Sequence, residues 1–91
     1  MPEQLGRIEV KVARGFADSE FYVMVPDGPA AYVSRDLVIV DKIPTEDSQV
    51  KGLVQVYVLD EGEDDFLIEL PGEPVVGGLR TRVGKSLLLS A

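Results

Sequence analysis

Two clusters of charged side chains are the groups in this sequence best suited to hold an ion or a charged partner. Asp60, Glu61, Glu63, Asp64 and Asp65 surround Gly62, and a flexible loop of carboxylates offers the oxygen ligands that a hard cation such as Ca²⁺ takes. The spacing of the helix–loop–helix calcium site is absent. Counted from Asp60, the twelfth position is Pro71, where a bidentate glutamate is needed. Such acidic runs also serve as solvated turns whose charge discourages strand edges from pairing. Arg80 and Arg82 lie two apart, so on a strand they share one face, with Lys85 nearby. Three cations on a face suit a phosphate, a nucleic-acid backbone or an acidic partner. They suit equally well an ion pair with the acidic turn of the same molecule.

Gly84-Lys85-Ser86 ends like a phosphate-binding loop, but its spacing fails. The position that should hold the first glycine of GxxxxGK[ST] is Leu79, and three leucines follow where a helix should begin. The sequence contains no cysteine and no histidine. Thiolate nucleophiles, zinc ribbons and iron–sulfur clusters are excluded, as are Ser–His–Asp and Cys–His arrangements. No nucleophile–base pair stands out among the remaining side chains, so the expectation is a non-catalytic chain without a cofactor.

The charge balance limits the partners. Sixteen acids oppose nine bases, for a net charge of −7, and an acidic chain repels a phosphate backbone on average. The imbalance is local. Residues 44–74 hold nine acids and Lys51 alone among the bases, whereas the residues after Pro74 carry no acidic side chain. Nucleic-acid binding would have to rest on Arg80, Arg82 and Lys85, without interleaved aromatic side chains for base stacking. No stretch of about 18 apolar residues offers a membrane span. MPEQLGRIEV lacks the basic and apolar regions of a secretory leader. The expected location is cytoplasmic.

The elements that position these groups are strands. Ile8, Val10 and Val12 alternate with Arg7, Glu9 and Lys11; Phe21, Val23 and Val25 alternate likewise and end at Pro26-Asp27-Gly28-Pro29. Val54, Val56 and Val58 repeat the pattern, followed by Phe66, Ile68 and Leu70, which end at Pro71-Gly72-Glu73-Pro74. Leu37-Val38-Ile39-Val40 is an unbroken apolar run, as expected of a strand covered on both faces. Pro44 to Ser48 is a polar connector with room for one helical turn.

Three blocks recur in order. Ile8–Val12 matches Val54–Val58, Glu20–Pro29 matches Asp65–Pro74, and Val33–Val40 matches Val83–Ser90, with about five residues gained before the last block. The reading is an internal duplication with halves at about 7–43 and 52–91. The expected fold is all-β, a single domain folded as a small six-stranded barrel, or a sandwich, from two pseudo-twofold-related three-stranded units.

Tyr22 and Met24 lie out of phase with the inward residues of their strand, as do Tyr57 and Leu67 in the second half. Apolar side chains on a face that should be polar imply cover by another element or another chain. The leading functional expectation is a protein-interaction module that forms a homo-oligomer, or binds another protein, through Tyr22, Met24, Tyr57 and Leu67. Two alternatives stay open. One is a small-ligand or Ca²⁺-binding barrel using Asp60, Glu61, Glu63, Asp64 and Asp65; the other is a nucleic-acid-associated protein using Arg80, Arg82 and Lys85.

Overall fold

Among the described residues, the period-two pattern becomes nine antiparallel strands and no α-helix. The computed structural model describes residues 4–90, Leu89 and Ser90 through their backbone alone. The strands are β1 (Gln4–Arg14), β2 (Glu20–Met24), β3 (Ala30–Ser34), β4 (Val38–Val40), β5 (Val50–Glu61), β6 (Asp65–Glu69), β7 (Glu73–Val76), β8 (Arg80–Gly84) and β9 (Leu88–Ser90). They form one antiparallel sheet, curled into a half-barrel, in the order β7-β3-β2-β1-β5-β6-β8.

The two long strands are the spine. β1 and β5 pair from Gln4 opposite Val58 to Val12 opposite Val50. A strand of this length spans roughly 36–40 Å, which accounts for the 38 Å long dimension of the molecule. Since β5 takes one edge of β1, the other edge carries both β2, on residues 11–14, and β9, on residues 6–8. In the same way β5 carries β6 on residues 57–61 and β4 on residues 52–54. Each half therefore lends its last strand to the long strand of the other half.

Inward side chains hold the register. Ile8, Val12, Val23, Val33, Val54, Val56, Ile68 and Leu70 are fully buried in one contiguous core. Burial of an aliphatic side chain of this size is worth about 1.5–3 kcal/mol. A slip of one residue would turn a whole strand's set into water, so alternation fixes the pairing.

The pairings recur between the halves. Val12 lies opposite Val23, and Val58 opposite Ile68. Phe21 lies opposite Val33, and Phe66 opposite Val83. Val38 faces Val54, as Leu88 faces Ile8. The Arg35 amide donates to the Ser19 carbonyl at 3.0 Å and the Lys85 amide to the Asp64 carbonyl at 3.1 Å. Val25 donates to Pro29, and Leu70 to Leu79.

The structure departs from the sequence expectation in four places. There are nine strands rather than six, and the sheet path ends at β7 and β8 without a pairing between them among the described residues. The apolar runs are broken by 3-10 turns at Arg35–Leu37 and Lys85–Leu87. The first break leaves Leu37 packed on the core, Val38 buried and Ile39 49% exposed, so that run is not covered on both faces. β7, formed by Glu73 and Pro74 at the end of the second matched block and by Val75 and Val76 from the residues gained after it, leaves its own half to pair with β3. Gly72 turns the chain there with φ 123°, a conformation glycine adopts without cost. A Cβ at this position would run into the Tyr32 carbonyl oxygen. Between Pro44 and Ser48 the chain makes a turn closed by Ser48 N–H on the Thr45 carbonyl, not a helix.

Candidate functional site: two outer faces on matched strands

The three cations sit on or beside β8 and are engaged within the molecule. Arg80 Nε donates to Glu69 Oε1 at 2.8 Å, and Arg82 bridges Asp65 Oδ1 at 2.8 Å and Asp60 Oδ2 at 3.5 Å. Lys85 Nζ reaches Glu61 Oε2 at 2.9 Å and stands 5.3 Å from the centre of the Phe66 ring. Strand pairing brings these groups together, since β8 lies against β6 and β6 against β5. Of the five acidic-turn residues, Asp60, Glu61 and Asp65 thus accept from cations. Glu63 and Asp64 are exposed and make no ion pair among the described residues. No group of three or more carboxylates is gathered in metal-holding geometry among the described residues.

The outer face of the first half has different chemistry. Tyr22 projects from β2 beside Tyr32 of β3, ring centres 5.3 Å apart, and Phe16 from the β1–β2 loop also lies 5.3 Å from the Tyr32 ring. Tilts of 52° and 38° are within the edge-to-face and offset range that aromatic pairs favour. The Phe16 side chain is 90% exposed. Met24 stands next along β2, between Lys11 and Ala30, with Gln49 Nε2 3.8 Å from its sulfur.

The sequence placed Tyr22, Met24, Tyr57 and Leu67 on one apolar surface, and the structure divides them. All four point away from the core and are half-buried. Tyr57 lies between Leu5 and Glu69, and Leu67 between Asp60 and Arg82. On β1, the neighbours of Tyr22 and Met24 (Ala13 and Lys11) are six to eight residues from Leu5, the neighbour of Tyr57. That separates the pairs by about 20–26 Å along the strand. Phe16 and Tyr32 complete the aromatic group, and sequence reasoning passed over both. Tyr32 carries the usual signal, an aromatic residue alternating with inward Ala31 and Val33; Phe16, in a loop, carries none.

Beside this group an open cleft of about 600 Å³ runs between the β1–β2 loop, the first 3-10 turn and the connector into β5. Arg14, Phe21, Arg35, Ile43, Pro44 and Glu46 line it. Arg35 is fixed there, donating to the Asp18 carbonyl at 2.8 Å with its guanidinium 4.7 Å from the centre of the Phe21 ring.

No protein-family model, curated protein or solved structure matches the chain. Among the described residues, no helix is long and apolar enough to cross a membrane.

Proposed function

We propose that this chain is a non-catalytic protein-interaction module, made by duplication of one β unit, that associates with itself through the outer face of its first half. The observation that carries the reading is the ring group Phe16–Tyr32–Tyr22, which presents a 90% exposed phenyl group at its end. Rigid aromatic side chains gain large contact area at low entropic cost and are enriched where proteins bind each other. Exposing such a ring to water without a partner brings a folded monomer no gain.

The recurring registers support the duplication. The pairs Val12–Val23, Phe21–Val33 and Val38–Val54 have counterparts in Val58–Ile68, Phe66–Val83 and Leu88–Ile8. Each counterpart follows from the three matched sequence blocks with no shift. A twofold axis through the Ile8–Val54 pair would exchange the halves. The absence of cysteine and histidine from the sequence supports the non-catalytic reading.

Sedimentation velocity of the pure protein against Phe16→Ser tests the contact. The wild type is expected to associate at micromolar concentration, and the variant to weaken that association at least tenfold while keeping its melting temperature. A wild type that stays monomeric at high micromolar concentration contradicts the proposal. So does a variant that associates as tightly as the wild type.

A further inference from the structure

The two halves differ at one strand edge, and that difference points to a second contact. In an antiparallel ladder, residues that exchange hydrogen bonds alternate with residues that do not. The bonds Leu70 N–H to the Leu79 carbonyl and Lys85 N–H to the Asp64 carbonyl bracket the β6–β8 ladder. They assign Thr81 and Val83 to bonds with β6. The N–H and C=O groups of Arg80, Arg82 and Gly84 then point away from β6. The same reasoning on β3, bracketed by Val25 to Pro29 and Arg35 to Ser19, aims Ala30, Tyr32 and Ser34 away from β2. In the first half those groups meet β7, with Ala30 opposite Val76 and Tyr32 opposite Glu73. Among the described residues β8 has β6 as its one neighbour. The matched edge is covered in one half and bare in the other.

We infer that β8 pairs antiparallel with β8 of a second copy about a twofold axis at Arg82. The edge is self-complementary. Centred on Arg82, Arg80 faces Gly84 of the other copy, and every residue whose backbone points outward meets another of the same kind. The charges agree with this register. Arg82 meets its own equivalent, but each guanidinium is already held by Asp65 and Asp60. The Glu63-Asp64 turn is tied to the end of β8 by the Lys85–Asp64 bond. The pairing brings that exposed turn of each copy about two strand spacings, roughly 10 Å, from Arg80 of the other, a gap that an arginine and a glutamate side chain can close together. Unlike β7, which carries Pro74, β8 has no proline to blunt its edge.

The pairing does not rest on the aromatic face. Two isologous contacts on one chain take the assembly beyond a dimer.

Gly84→Pro removes one outward donor with little other change. Gly84 has φ −60°, the angle a proline ring imposes, and a Cβ there would meet nothing closer than Ser86 Oγ at 3.9 Å. Sedimentation velocity on the full chain compares the wild type, Phe16→Ser, Gly84→Pro and the double variant, each checked for an unchanged β-sheet circular dichroism spectrum. The expected results are a species larger than a dimer, a dimer, a dimer and a monomer. Gly84→Pro sedimenting like the wild type, or Phe16→Ser sedimenting as a monomer, overturns the β8 pairing. A monomeric Gly84→Pro beside a dimeric Phe16→Ser supports it and instead removes the aromatic contact. Amide exchange supplies a readout without proline. In Phe16→Ser, protection at Arg80, Arg82 and Gly84 is expected to rise at least tenfold between low and high micromolar concentration; unchanged protection overturns the pairing.

Discussion

Tyr22 and Tyr32 in the first half occupy the ladder positions that Leu67 and Arg82 occupy in the second. Met24 and Ala30 likewise stand where Glu69 and Arg80 stand. One outer face is aromatic and aliphatic; the other sets ion pairs around Leu67. Both rest on inward residues of one kind, Val23 and Val33 in the first half and Ile68 and Val83 in the second. Buried inward positions carry the fold and take apolar side chains, Phe21 among the aliphatic ones, since a buried polar group without a partner is costly. Outward positions are free to differ, because exchanging one exposed side chain for another changes stability little. Two faces of one scaffold can then acquire separate tasks. In the function proposed above, the first face makes the contact, while the cations of the second are paired within the molecule.

Disrupting the shared core should affect both halves at once. Leu70→Ala removes a side chain that is 1% exposed, at a cost of about 2–5 kcal/mol, a large share of a small domain's margin. Thermal unfolding should then show one transition at lower temperature, with Tyr22 and Tyr32 reporting together with Tyr57. Two separated transitions would show that the halves do not share a core.

Gly72→Ala converts the first half towards the second by dislodging β7 from β3. Its backbone conformation and the Tyr32 carbonyl both resist a side chain, so the expected cost is on the order of 1–3 kcal/mol. Amide exchange should quicken at Ala30 and Tyr32, whose groups face β7, and not at Ala31 and Val33, which face β2. Quickening at all four alike would mean that β3 itself unpairs.

Giving the first half the side chains of the second, Tyr22→Leu with Tyr32→Arg, should weaken self-association at least tenfold and move the melting temperature by no more than a few degrees. Unchanged association would detach the aromatic group from the contact. The smallest effect is expected on the charged face. Arg82→Gln gives up pairs whose arginine is 49% exposed, worth about 0.2–1 kcal/mol before screening. Chemical denaturation at low and high salt should show that deficit shrinking as salt rises. A larger, salt-independent loss would mean that Arg82 packs rather than pairs.

The all-β class and the inward set were legible in the sequence, because alternation with period two is a direct record of which side of a sheet each residue faces. Ile8, Val10 and Val12 needed no further information. β7 was not legible: Glu73-Pro74-Val75-Val76 has two prolines close by and no alternation, and its partner β3 lies some forty residues earlier. The 3-10 turns were hidden inside apolar runs, since Leu37 and Leu87 pack on the core from a turn as they would from a strand. The site was legible only by halves. Out-of-phase residues identified Tyr22 and Met24, but one-dimensional spacing could not separate them from Tyr57 and Leu67, because that distance is set by the antiparallel run of β1 against β5. The ion pairs of Arg80, Arg82 and Lys85 with the acidic turn depend on β8 lying beside β6, which the matched blocks imply only once the first half's pairing is carried over.

A dilution series followed by two-dimensional amide spectra of the Gly84→Pro chain isolates the aromatic face from the β8 edge. From high to low micromolar concentration, the signals of Ala13, Phe16, Tyr22, Met24 and Tyr32 should move while those of Asp60, Leu67, Glu69 and Arg82 stay in place. Signals that all remain fixed, or movement confined to the second set, would contradict the assignment of contact to the first half.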